Sequence, residues 1–109
     1  MPSQQKTPVS VSVGEETATV AVHGDFDMAA TFTVEPAVEA ALQQPGLRAI
    51  TLDLSGLSFI DSTGMNVIVK LDSEARANGI ALAIVPAPRH VQRVFEVSGL
   101  GDTLPFRPG

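Results

Sequence analysis

The sequence predicts an α/β protein of the α+β type: a small mixed β-sheet of four to five strands with helices packed mainly on one face. Three observations predict it. Short stretches of alternating apolar and polar residues are separated by stretches with helical spacing. Two of the helical stretches are ten or more residues long and lie between alternating ones, which implies parallel neighbours joined by right-handed crossovers. The alternating stretches also carry Thr, Ser, His and Asp on one side, whereas a sheet covered on both faces is apolar throughout.

Taken in order, Met1 to Pro8 is polar and reads as a flexible N-terminal arm (1–8), leaving 9–109 as a single folded domain. Val9, Val11 and Val13 alternate with Ser10 and Ser12 as a half-buried strand. Gly14-Glu15-Glu16 turns the chain, and Thr17 to His23 resumes the alternation with Ala18, Val20 and Val22 on one face. So short a connection joins antiparallel strands. Gly24-Asp25-Phe26-Asp27 breaks the pattern. Asp27 suits the N-cap of a helix running towards Gln44, with Val38, Ala41 and Leu42 inward. Pro36 is at ease only in a first turn, so either the helix is kinked there or its regular part begins near Val34, and an irregular first turn after Asp27 is the preferred expectation.

Pro45-Gly46 ends that element. Arg48 to Leu54 is the clearest strand, followed by a tight loop and a second helix from about Ser62 to Asn78. Its stripe is Ile68, Leu71 and Ala75, while Lys70, Asp72, Glu74 and Arg76 face water. Gly79 is placed to stop it. Ile80 to Val85 makes a short apolar strand, and Pro86 to Pro88 interrupts. Arg89 to Ser98 makes a third helix with Val91, Val94 and Phe95 inward, stopped at Gly99-Leu100. Thr103 to Phe106 is expected as a last edge strand.

Composition narrows the function. With 109 residues, 44% of them apolar, the chain suits one domain with one core. It has neither the roughly 20-residue apolar run of a membrane span nor the apolar segment of a signal peptide at its start. A cytoplasmic location is expected. Absence of cysteine removes disulfides, thiolate metal sites and a cysteine nucleophile. A net charge of −5 and the lack of Trp and Tyr argue against nucleic acid and against anionic lipid, and suit a partner carrying basic residues.

Enzyme signatures fail in turn. No glycine-rich phosphate loop is present, and His23 and His90 form no metal pair. Ser62 lacks the Gly-x-Ser-x-Gly elbow of a hydrolase. Asp25, Asp27 and Asp61 come from separate loops without calcium-ligand spacing. The expectation is a protein that is not an enzyme and takes neither cofactor nor metal.

What remains is Asp61-Ser62-Thr63-Gly64, at the junction of strand and second helix. Outward-pointing amides and the positive end of the dipole make this a place for a cap and equally for a phosphate. From the residues alone a cap supplied by Asp61 or Ser62 is the plainer reading, with Gly64 letting the helix start lie close to the strand.

The run Leu52-Asp53-Leu54-Ser55-Gly56-Leu57-Ser58-Phe59-Ile60-Asp61-Ser62-Thr63-Gly64 resembles the signature of the STAS domain family, the bacterial anti-sigma factor antagonists. Gly24-Asp25-Phe26-Asp27 resembles the family's first loop, and Pro88 to Leu100 its last helix and stop. The resemblance covers nearly the whole chain in the right order. It implies a partner-switching protein. Ser62 matches the serine phosphorylated by a cognate anti-sigma factor that is also a serine kinase, with adjacent Thr63 as the second candidate. The unphosphorylated form binds that kinase and frees a sigma factor; a serine phosphatase reverses the modification. Asp27 matches the aspartate beside the phosphoserine loop. The implied partner-binding set is Asp25, Asp27, Asp61, Ser62, Thr63, Gly64, Met65 and Asn66, with no direct contact to nucleic acid or membrane. The chain departs from the family pattern at Met65-Asn66, where Leu-Gly is usual, and at Pro36. The alternative is a STAS module that is never phosphorylated and serves as a structural subunit of a transport or signalling assembly, with Ser62 only a cap.

Overall fold

A computed structural model describes residues 8–108. The expected arm therefore lies outside the described residues, Pro8 excepted, whose carbonyl accepts the His23 N–H at 2.8 Å. The elements are β1 (Val9–Val13), β2 (Thr17–Phe26), α1 (Met28–Leu42), β3 (Ala49–Ile60), α2 (Ser62–Ala77), β4 (Ala81–Val85) and α3 (Arg89–Val97). The sheet order is β1-β2-β3-β4. β1 pairs antiparallel with β2, as the short Gly14 turn requires, while β2–β3 and β3–β4 are parallel.

One face of this mixed sheet is buried and the other is open. Ala18, Val20 and Val22 of β2, Ile50, Leu52 and Leu54 of β3 and Ile84 of β4 are buried. Val34, Val38 and Ala41 of α1, Ile68, Leu71 and Ala75 of α2, and Val91 and Phe95 of α3 join them in one core. Thr17, Thr19 and His23 on the opposite face of β2 are exposed, which accounts for the alternation. Phe95 meets Phe106 edge to face, centroids 5.1 Å apart. Gly79, at φ 68°, takes the left-handed conformation that turns α2 off, and the next amide, that of Ile80, bonds back to Ala75 at 2.8 Å.

Several expectations are corrected. The chain from Ser55 to Ile60 is no tight loop: β3 continues to Ile60 beside a β2 that itself reaches Phe26. A neighbouring ladder satisfies backbone groups that a loop would leave to water, at the cost of register shifts at Ala21/His23 and Gly24/Asp25. α1 is helical from Met28, with no irregular first turn, and Pro36 lies in its interior. Pro36 is exposed, and the carbonyl it deprives of an amide partner is that of Phe32. Val94 is exposed, because the inward stripe of the short α3 is only Val91 and Phe95 wide. Within β1 only Val9 is buried; Val11 and Val13 lie at an edge the helices do not cover. Thr103 to Phe106 forms a single bridge, Ile84 to Phe106, in place of a fifth strand.

Candidate functional site

β2 and β3 end side by side, with Phe26 paired to Ile60, and each is followed by an aspartate and a helix. The two aspartates have nearly the same backbone, Asp27 at φ −111°, ψ −172° and Asp61 at φ −113°, ψ −175°. Both are N-caps: Asp27 Oδ1 accepts the Ala30 N–H at 3.0 Å, and Asp61 Oδ1 accepts the Gly64 N–H at 3.1 Å. The Asp61 N–H donates to the Phe26 carbonyl at 3.2 Å, so the second cap is fastened to the end of β2. Two helix N-termini and two carboxylates thus share one corner of the molecule.

Within that corner the hydroxyls differ. Thr63 is half-buried and its Oγ1 donates to Asp61 Oδ1 at 2.5 Å. Ser62, the first residue of α2, is exposed, and its hydroxyl makes no hydrogen bond among the described residues. The cap is therefore supplied by Asp61, and Ser62 is left outside it. The Thr63 hydroxyl, then the Gly64 amide, hold the Asp61 carboxyl below the usual carboxylate range, against a small opposing effect of desolvation. The Thr63 and Met28 amides add less.

Gly64 is buried, and a side chain there is excluded. A Cβ would run into the Phe26 carbonyl oxygen and stand 2.9 Å from Phe26 Cγ and 3.1 Å from Ile60 Cγ1. Its absence lets α2 start hard against the strand ends. Met65 is half-buried and packs on the core. Asn66 is exposed, one turn beyond Ser62, and lines a shallow recess of about 260 Å³ with Thr31, Glu35, Thr63 and Lys70. Asp25 lies apart. It pairs in register with Phe59 and lines a wider groove of about 820 Å³ with Ser10, His23, Gly56 and Ser58. Of the eight residues singled out in the sequence, seven follow one another along the two helix starts and Asp25 faces this other groove.

Two apolar side chains at the same corner escaped the sequence patterns. Met28 and Phe32, on α1, are 60% and 76% exposed. The available signal was charge: α1 carries only Glu35 and Glu39 among its fifteen residues, too few to solvate a whole outer face.

Chemically, the corner offers a free hydroxyl and a positive helix end with carboxylates beside it. No group of three or more His, Cys, Asp or Glu side chains among the described residues is placed to hold a metal ion. None of the described helices is long and apolar enough to cross a membrane.

A parallel β2–β3 pair carrying two aspartate-capped helices on one face, with a serine outside the second cap, matches a known class. The profile of the STAS domain family matches residues 9–109, and the chain belongs to that family. It is 32% identical over 90 residues to the anti-sigma F factor antagonist of Lysinibacillus sphaericus, covering 82% of this chain and 76% of the relative. It is likewise 32% identical over 93 residues to the anti-sigma-B factor antagonist of Staphylococcus aureus, covering 83% and 82%. The fold is similar to that of the Bacillus cell fate determinant SpoIIAA in its phosphorylated form, with TM-score 0.68, 24% identity, and coverage of 92% of this chain and 91% of that one.

Proposed function

We propose that this protein is a cytoplasmic anti-sigma factor antagonist controlled by phosphorylation of Ser62. Unphosphorylated, it binds an anti-sigma factor that is also a serine kinase and so releases a sigma factor. The observation that carries this reading is the division of labour at the second helix start: Asp61 does the capping and Ser62 keeps a free, exposed hydroxyl. The names of the relatives and the phosphorylated form of SpoIIAA support it.

The chemistry belongs to the partner. The kinase transfers the γ-phosphoryl group of ATP to Ser62 Oγ, and the hydroxyl proton leaves to a base of the kinase; a serine phosphatase returns the hydroxyl. This chain acts by binding. The phosphate brings about −1.5 to −2 charges. Within the chain the α2 dipole tolerates them, so the fold stays as it is. Against a docked partner the phosphate stands beside Asp61 and Asp27 and faces any acidic group of the kinase. One like-charged pair at about 5 Å costs about 3 kcal/mol at an effective dielectric near 20, roughly a hundredfold in affinity. Thr63 is the poorer acceptor, since its hydroxyl is already given to Asp61.

The test combines phosphoryl transfer with binding. Incubation with ATP and the purified anti-sigma kinases of the host adds one phosphate by intact mass, mapped to Ser62. Ser62→Ala binds the kinase constitutively. A Ser62→Asp variant that bound as tightly as the unmodified chain would rule out the charge mechanism. The other role open to a STAS module, a fixed structural subunit with Ser62 as its cap, is weakened because Asp61 holds the cap.

A further inference from the structure

We infer that the outer face of α1, formed by Met28, Phe32 and Pro36, docks the protein that reads Ser62, through an apolar socket on that partner edged by Arg or Lys side chains. This rests on the reading of Ser62 above and adds a second, separate anchor to it. Residues four apart on a helix lie on one face, so these three form a stripe about 12 Å long. Met28 and Phe32 are 60% and 76% exposed and Pro36 is exposed too. The remaining exposed positions of α1, Ala29, Thr33 and Ala40, carry no charge. A helix apolar on both its inner and outer faces is one that expects cover on both. The stripe begins at Met28, directly after the Asp27 cap, and the Asp61 N–H fastens the second cap to the Phe26 carbonyl beside it, so a molecule over Ser62 lies at the start of the stripe.

Two features set the chemistry of the occupant. Along the α2 side of the stripe, Lys70 faces Glu35 at 2.9 Å and Glu39 at 4.0 Å, with Glu74 next to them. Three carboxylates against one ammonium leave this edge negative. Pro36 has no N–H, so the Phe32 carbonyl lacks its usual intrahelical donor. A cationic N–H donor satisfies both. A second copy of this chain brings the same acidic edge against itself, and an anionic lipid surface is repelled by it.

The probe is the purified kinase that phosphorylates Ser62, with Phe32→Ser, Val97→Ser and the double variant Glu35→Gln/Glu39→Gln. Val97, 82% exposed on α3, controls for the loss of any surface apolar group. Phe32→Ser raises the Kd at least about thirtyfold, as expected for a buried aromatic anchor, and raises KM for Ser62 phosphorylation with kcat unchanged. Val97→Ser alters neither. The double glutamine variant flattens the salt dependence of binding. Unchanged binding by Phe32→Ser overturns the inference while leaving Ser62 untouched. So does a wild-type dimer in sedimentation that Phe32→Ser turns into monomer, since a second copy then covers the face. If no host kinase modifies Ser62, the reading beneath it fails instead.

Discussion

Ser62 and Thr63 are neighbours with similar chemistry, and one carboxylate separates them. Asp61 accepts a hydrogen bond from the Thr63 hydroxyl and leaves Ser62 alone. Asp61→Ala frees the threonine, and phosphosite mapping after kinase treatment should then find phosphate on Thr63 as well as Ser62. The same carboxyl titrates below its ordinary range because it is hydrogen-bonded when ionised. A group whose folded-state pKa is depressed stabilises the fold above its unfolded value, 3.8, and loses that contribution as pH falls through the folded value. Acid unfolding followed by circular dichroism should therefore begin at higher pH in Asp61→Asn than in the unmodified chain. Gly64 sets a steric limit. Gly64→Ala must push α2 away from Phe26 and Ile60, costing about 1–3 kcal/mol, read as a lower urea midpoint at unchanged m-value.

Among the elements, α1 is the one whose sequence and surroundings conflict. Proline in a helix interior is about 3 kcal/mol worse than alanine, and part of this returns through a stiffer unfolded chain. Pro36→Ala should stabilise the protein by roughly 1–2 kcal/mol in denaturant titration, while giving the Phe32 carbonyl an internal donor. The seam between α1 and α2 has a second conflict. Desolvation first, then the charge of Glu39, pushes the Glu74 carboxyl up, while Lys70 pulls it down; Glu35 draws the Lys70 ammonium up. A carboxyl whose folded-state pKa is raised opposes folding once it ionises above its unfolded value, 4.5. Glu74→Gln should melt higher than the unmodified chain at pH 7, and the difference should shrink as the pH falls through the raised folded-state value and vanish below 4.5.

At the scale of the whole molecule, a net charge of −5 sits on a sheet with one covered face and a helix with an uncovered one. Charge speeds encounter with a basic partner, and salt slows it. The association rate with the kinase should fall severalfold between low and physiological ionic strength, whereas Phe32→Ser should act mainly on dissociation. Stopped-flow mixing separates the two.

Periodicity in the chain was enough to determine the order of elements, the one-sided sheet and the Asp27 cap, because each is written in spacing of two or near four and in residues with strong local preferences. The pairing of β2 with β3 out to Ile60 was not legible, since Ser55, Gly56 and Ser58 have no strand preference and are drawn into the ladder by a neighbour distant in sequence. Nor was it written locally that Asp61, and not Ser62, holds the cap. Either residue type can cap a helix, and only where the Phe26 carbonyl fastens the chain decides which one lies outside the first turn. The exposure of Phe32 was likewise a tertiary outcome: an apolar residue in an apolar helix reads as core until packing chooses the face that goes inward.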